Sequence, residues 1–395
     1  MLGFSTYAVS LLDLQSLWAL SNTESGLVAS AFFIGYMACV SMWNAMTDHQ
    51  DPRQVYLYGS VLAAAGSLGF GLVASGFVSA FLWQFLLGAG VAATYMPGLR
   101  ILSESMAPGA TQSRYVSFYT AFFGIGAAFS FLLAGWALDV LDWRWSFGLS
   151  ALGPLIGLGL VLWGTRHRPR QQASSKSLTH TLSLFFPLGS WKRAWREPAL
   201  RGYTIGYGVH CLELFGSRAW TVAFVSFGFS VGGVAPFWVA ATWASFVNLI
   251  SMPASILGNE MALRIGRRRW INWVMASSST VGVVMALLSD GPWWLLLTLV
   301  SIHSMLIMAD SATLTAGMVS AAPGEVKGAA MGLYSLIGFG SGAVGPAVFG
   351  LALDMAGGGG VPASWGVAFA AIGLGCVLYP FAERFFFGSP IRSAT

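Results

Sequence analysis

Charge is scarce in this 395-residue chain: Asp, Glu, Lys and Arg make up 9% of it while 56% is hydrophobic, against roughly a quarter charged in an ordinary soluble domain. So few charges cannot coat a water-soluble surface of this size, which excludes the two or three soluble domains that length alone would allow. Cysteine is scarce too. Cys39, Cys211 and Cys376 all stand inside apolar runs, where a thiol behaves as a small hydrophobe, so neither a disulfide nor a metal cluster is expected. The apolar runs lack the alternation with polar residues that a membrane β-barrel requires. Paired catalytic carboxylates, a Cys/His cluster and a phosphate-binding loop are also missing, so neither an enzyme nor a resident cofactor is expected. The net charge of +5 comes without a basic-aromatic groove, which argues against a nucleic-acid partner.

What is abundant is long apolar sequence, with 49 Gly and 17 Trp, the small residues that let spanning helices pack closely and the aromatics that anchor them at interfaces. A spanning helix needs about 20 apolar residues. That length selects Leu27–Ala45, Val55–Val73, Phe77–Pro97, Val116–Leu138, Phe147–Gly164, Gly202–Phe227, Phe237–Leu257, Ile271–Leu288, Trp293–Thr313, Ala329–Leu353 and Trp365–Phe381. Met1–Leu12 is apolar but too short to cross unaided. Counted as the remnant of a first span, it makes twelve, and the loops then alternate sides. Of the 20 Lys and Arg, only Arg144 and Arg218 fall on one side. This positive-inside bias puts both termini and the basic segment up to Arg201 in the cytoplasm.

The chain repeats itself at an offset of 215 residues. Asp48 and Arg53 fall on Leu263 and Arg268, Gly135-Trp-Ala-Leu-Asp139 falls on Gly350-Leu-Ala-Leu-Asp354, and Phe77–Pro97 falls on the tenth span. An internal duplication fits all three. The expected organisation is an N-terminal six-helix half over residues 1–165, a basic connector over 166–201, a C-terminal six-helix half over 202–386, and a tail over 387–395. Carrying the offset back from the seventh span places the first span's start before Met1, so that span is expected to be truncated in this chain.

Asn44-Ala-Met-Thr-Asp48-His-Gln-Asp-Pro-Arg53 and Arg264-Ile-Gly-Arg-Arg268 are two partial copies of a cytoplasmic-loop signature. Asp142-Trp-Arg-Trp-Ser-Phe147 looks like the lead-in to a sixth span. Gly124, Gly126 and Gly135, and then Gly338, Gly340, Gly342, Gly345, Pro346 and Gly350, resemble Gly-rich interface helices. Together these features resemble the major facilitator superfamily of secondary transporters over essentially the whole chain. The resemblance implies an all-α membrane fold of two six-helix halves, with the first, fourth, seventh and tenth spans lining a central cavity. Two positions depart from the pattern: Gln84 stands where the fourth span usually opens with Arg, and Ser130-Phe131 replaces the fifth-span Gly-Pro step of antiporters.

In that reading Asp48, Arg53, Arg264 and Arg268 form a cytoplasmic gate, the acid gaining charge-dipole stabilisation in one of two domain arrangements; solvated charges that only set topology are the alternative. The Gly residues and Pro346 are first close-packing positions, and substrate lining second. Charge in mid-bilayer costs at least ~2.5–3.5 kcal/mol, so ionisable residues there usually face the bundle interior or a water-filled path. His210, Glu213 and Arg218 on the seventh span and His303 and Asp310 on the tenth are such residues. Gly206, His210, Glu213 and Ser217 share one helical face. Glu213 is the expected proton-coupling carboxylate, with His210 or His303 as partner and Asp310 as a second protonatable site or gate; a satisfied polar network is the other reading. Gln84, Tyr95, Arg218 and Trp220 are candidate cavity residues, although Trp and Tyr also serve as interface anchors.

The resulting expectation is a monomeric transporter of the plasma (bacterial inner) membrane, carrying a small organic anion in symport with protons by alternating access. Efflux of a drug or metabolite by proton antiport, and a transport-inactive sensor, are the alternatives.

Overall fold

The structure, a computed structural model, describes residues 1–105, 110–165, 186–232, 237–322 and 327–387. Most of the basic connector (166–185), the tail from 388, and the side chains of Asp48 and Arg114 lie outside the described residues. Among the described residues every element is a helix. These are α1 (Thr6–Trp18), α2 (Asn22–His49), α3 (Pro52–Val73), α4 (Phe77–Glu104), α5 (Ala110–Val140), α6 (Trp143–Ser150), α7 (Leu152–Gly164), α8 (Leu188–Arg196), α9 (Pro198–Val231), α10 (Phe237–Ile265), α11 (Arg267–Leu287), α12 (Trp293–Ala309), α13 (Ser311–Ala321), α14 (Lys327–Met355) and α15 (Pro362–Phe387). Ten of the described segments are long and apolar enough to cross a membrane.

Local chemistry sets the helix starts. Ser21 and Glu24 close a capping box at α2, satisfying two donors that a helix start leaves bare. Asp51 accepts the Arg53 N–H at 3.0 Å and Pro52 follows at the first helical position, where its missing N–H costs nothing. Asp142 accepts the Trp145 N–H at 3.0 Å to begin α6. Gly266 separates α10 from α11 with φ 95°, a conformation that favours glycine.

Two apolar stretches that read as single spans are broken. The sixth divides at Ala151 into α6 and α7, because Pro154 has no N–H to bond back into the preceding turn. The tenth divides at Asp310, φ −100° and ψ −13°, and continues as α13 to Ala321. The indole of Trp270 donates to the Ala309 carbonyl at the break, 2.9 Å away, as lipid-embedded backbone requires. The first helix also differs from the apolar stretch that suggested it, running from Thr6 to Trp18 rather than over Met1–Leu12.

By its contacts the chain forms two compact units. The first holds Met1–Phe186, Ala219–Ser226 and Gly233–Leu249; the second holds Pro187–Arg218, Phe227–Gly232 and Ile250–Thr395. In the first, Gly35 lies against the Phe85 carbonyl and Gly88 against the Phe32 carbonyl, so α2 and α4 touch backbone to backbone. In the second, a buried core gathers Leu200 and Tyr203 of α9, Ile271 and Met275 of α11, Leu314 and Met318 of α13, and Cys376 and Tyr379 of α15.

Candidate functional site

The second unit contains the candidate site. His210 and Glu213 lie three residues apart on α9, and His303 and Asp310 seven apart on the broken α12–α13 rod. The structure crosses them. Glu213 Oε1 stands 3.2 Å from His303 Nε2, and Asp310 Oδ1 stands 2.8 Å from His210 Nδ1. Each rod offers one acid and one histidine, and each acid meets the histidine of the other rod. All four side chains are at most 3% exposed. Buried ionisable groups need such counterparts, since an isolated charge in a low-dielectric interior is very costly.

The two pairs differ in their surroundings. Glu213 Oε2 also accepts from the Ser278 hydroxyl at 3.0 Å and the Cys376 thiol at 3.1 Å, so helices α11, α12 and α15 all close on one carboxylate. Neither α11 nor α15 corresponds to a span that the resemblance assigns to the cavity. His303 is held edge-on against the Phe369 ring, centroids 5.4 Å apart. His210 is equally buried but has fewer polar partners. Its ring stacks on Tyr207 at 5.7 Å, Tyr207 stacks on Tyr334 at 4.0 Å, and the Tyr334 hydroxyl meets Thr315 Oγ1 at 3.0 Å. His210 Nε2 is buried without a hydrogen-bond partner among the described residues.

Farther along α9, Arg218 Nη2 lies 3.6 Å from Met308 Sδ. Its Nε is buried with no hydrogen-bond partner, and it takes part in none of the ion pairs among the described residues. The glycines of α14 admit α9 closely: Gly338 faces the Tyr207 ring, Gly342 the Phe215 ring, and Gly345 the Leu212 carbonyl. Pro346 lies inside α14 without ending it, and Gly340 is half-buried.

The other candidates are more dispersed. Gln84 and Trp220 are buried in the first unit. There Tyr95 stacks on Tyr119 with centroids 5.6 Å apart, Gly135 is buried, and Gly124 and Gly126 are half-buried. Arg53 donates to the Leu162 carbonyl at 2.7 Å, tying the start of α3 to the end of α7. In the second unit Arg264 is exposed, while Arg268 pairs with Glu383 of α15 at 3.3 Å, an acid that sequence reasoning passed over. Ser278 escaped notice and Cys376 was read only as a small hydrophobe, because inside apolar helices both look like small packing residues; the bond from the Cys376 thiol to Glu213 corrects that reading.

The sequence profile of the Major Facilitator Superfamily matches residues 1–346. The chain belongs to the Major Facilitator Superfamily. It is 28% identical over 160 residues to Protein spinster homolog 3 of Danio rerio, covering 40% of this chain and 31% of that protein. It is 27% identical over 150 residues to Synaptic vesicle 2-related protein of Xenopus laevis, covering 37% and 26%, and 25% identical over 162 residues to Organic cation/carnitine transporter 7 of Arabidopsis thaliana, covering 40% and 30%. The matched segments thus span less than a third of each relative. Among solved structures, a bacterial homologue of the human lysosomal transporter Spinster, inward-facing and unoccupied, aligns over 98% of this chain and 96% of its own with TM-score 0.72 at 15% identity. A D-xylose-proton symporter aligns over 98% and 94% with TM-score 0.72 at 14% identity. At these identities the likeness is one of fold. This Major Facilitator Superfamily member is therefore a multi-pass membrane protein, and its family points to transport rather than catalysis.

Proposed function

We propose that this chain is a proton-coupled secondary transporter that carries a small organic anion in symport, by alternating access, across a plasma (bacterial inner) membrane with both termini cytoplasmic. The observation that carries the reading is the crossing of the two histidine–carboxylate pairs between α9 and α12–α13. Each pair can hold or release a proton, and each joins two rods on which the resemblance places the cavity. An apolar surround disfavours net charge on an ionisable group, so proton uptake and release shift the balance between the two conformations. In this reading Glu213, closed over by three partners, stores the proton with His303. His210, whose buried Nε2 has no hydrogen-bond partner among the described residues, is the point of exchange, and Asp310 is the second acceptor at the helix break.

Arg218 supports the anionic substrate. A buried guanidinium is costly unless a negative group completes it, and an arriving carboxylate would do so. In this reading Gln84, Tyr95 and Trp220 are substrate-contacting candidates within the first unit, and Asp48 and Arg53 in that unit and Arg264 and Arg268 in the second are gate candidates.

Proteoliposomes bearing the purified chain test the proposal when a pH gradient drives uptake of a panel of small organic acids. Glu213→Gln and Asp310→Asn are expected to abolish proton-driven accumulation while sparing counterflow exchange, and Arg218→Gln to raise the half-saturating substrate concentration at least about tenfold, the loss of one well-paired charge. Unaltered coupling in both acid variants would overturn the assignment. If the broad panel moves neither solute nor protons, the reading as a transport-inactive sensor replaces it.

A further inference from the structure

Helix α8, too short to span a membrane, is joined to α9 through Glu197 alone. Its sequence, Leu188-Gly-Ser-Trp-Lys-Arg-Ala-Trp-Arg196, divides cleanly when wound into a helix. Trp191, Ala194 and Trp195 fall at i, i+3 and i+4 on one face. Ala194 is fully buried in a core with Leu200 of α9, Met318 of α13 and Ala330 of α14, and the Trp191 indole reaches Gly332 of α14. The helix is therefore seated on the second unit.

The opposite face is cationic. Lys192, Arg193 and Arg196 are all exposed, and the ion pairs among the described residues do not use them. The polar contact recorded there, Arg193 Nη2 to Ser190 Oγ at 3.4 Å, stays within the helix's own turn. The neighbouring acid is the exposed Glu197, so the surface keeps a net positive charge. At the leading end Phe186 and Leu188 are 47% and 68% exposed. Three cations beside two largely exposed apolar side chains match the water–lipid boundary, where cations meet phosphates and apolar groups enter the acyl edge.

Depth agrees with chemistry. The 29 residues of α14 make a rod of about 43 Å, some 13 Å longer than a hydrocarbon core of about 30 Å. Such a rod reaches beyond the hydrocarbon core at its ends, and Gly332, five residues from the start of α14, lies about 7.5 Å along it. The helix seated on Gly332 is therefore near one end of the span.

We propose that the exposed face of α8 binds the anionic phospholipid headgroups of the adjacent leaflet, with Lys192, Arg193 and Arg196 holding the phosphates and Phe186 and Leu188 entering the acyl edge. A bound headgroup presses α8 onto α14, whose glycines in turn receive α9. Anionic lipid thereby braces the helix that carries His210 and Glu213. The binding itself is independent of whether the chain transports.

The test uses the purified full chain in detergent. Native mass spectrometry counts retained phosphatidylglycerol or phosphatidylcholine, and a thermal melt follows stability as each lipid is added. Each surface cation contributes about fivefold to binding of an anionic leaflet, so K192Q/R193Q/R196Q is expected to weaken phosphatidylglycerol binding by on the order of a hundredfold and to lose the lipid-induced rise in melting midpoint. The charge-keeping variant K192R/R193K/R196K is expected to retain both, which separates a lost headgroup site from a misfolded helix. Phosphatidylcholine is expected to stabilise neither form. Equal phosphatidylglycerol retention by the neutral variant would overturn the proposal. So would a full stabilising effect from millimolar inorganic phosphate, which marks a free-anion site, or from an acidic peptide, which marks a protein partner.

Discussion

Glu213 carries partners on both of its oxygens from three different helices, whereas the Arg268–Glu383 pair, its side chains 34% and 16% exposed, sits within reach of water. Substitution should separate them. His303→Ala leaves a buried carboxylate short of its counterpart and is expected to cost about 3–5 kcal/mol, while Glu383→Gln is expected to cost less than about 1 kcal/mol; thermal melts of the two variants side by side check the contrast. That His210, Glu213, His303 and Asp310 stand inside the spans was legible in the sequence, because ionisable residues are rare in apolar helices and stand out there. Their pairing was half legible. Spans seven and ten run in opposite directions, so the earlier residue on one meets the later residue on the other, which matches Glu213 to His303 and His210 to Asp310. Ser278 and Cys376 were not legible, since a hydroxyl or thiol in a membrane helix usually bonds its own backbone or simply fills space.

The elements show how the site is assembled. An unbroken tenth span would carry His303 and Asp310 about 10.5 Å apart along its axis, against about 4.5 Å between His210 and Glu213; the interruption at Asp310 lies where that mismatch must be absorbed. No Pro or Gly marks it in Ala309-Asp310-Ser311, so periodicity runs straight through. The sixth-span break could have been foreseen from Pro154. On α14 the glycine spacing was read as a packing face, and Gly345 lies directly on the α9 backbone. Gly345→Leu is expected to force the two helices apart at a cost of about 1–3 kcal/mol, seen as a lowered melting midpoint, with Gly340→Leu as the milder comparison. An unchanged midpoint for Gly345→Leu would show that α14 can move away freely.

For the whole molecule, the distribution of Lys and Arg predicts a direction for every span, and orientation is testable without knowing the substrate. With Cys39, Cys211 and Cys376 replaced, a single cysteine at Ser190 is expected to react with a membrane-impermeant maleimide only in inside-out vesicles, and one at Asp142 only in right-side-out cells; the reverse pattern would invert the topology. The sequence by itself determined that the chain spans a membrane repeatedly, that it is built on the superfamily's pattern, and which ionisable groups stand inside the spans. These follow from composition and from periods along one chain, which local chemistry writes directly. Tertiary structure alone decided that Ser278 and Cys376, 65 and 163 residues from Glu213, close on its carboxylate. It alone decided that Arg268 turns to Glu383, and that α8 rests on α14 with its cations outward. These depend on which distant helices become neighbours, and no period along the chain encodes a neighbour through space.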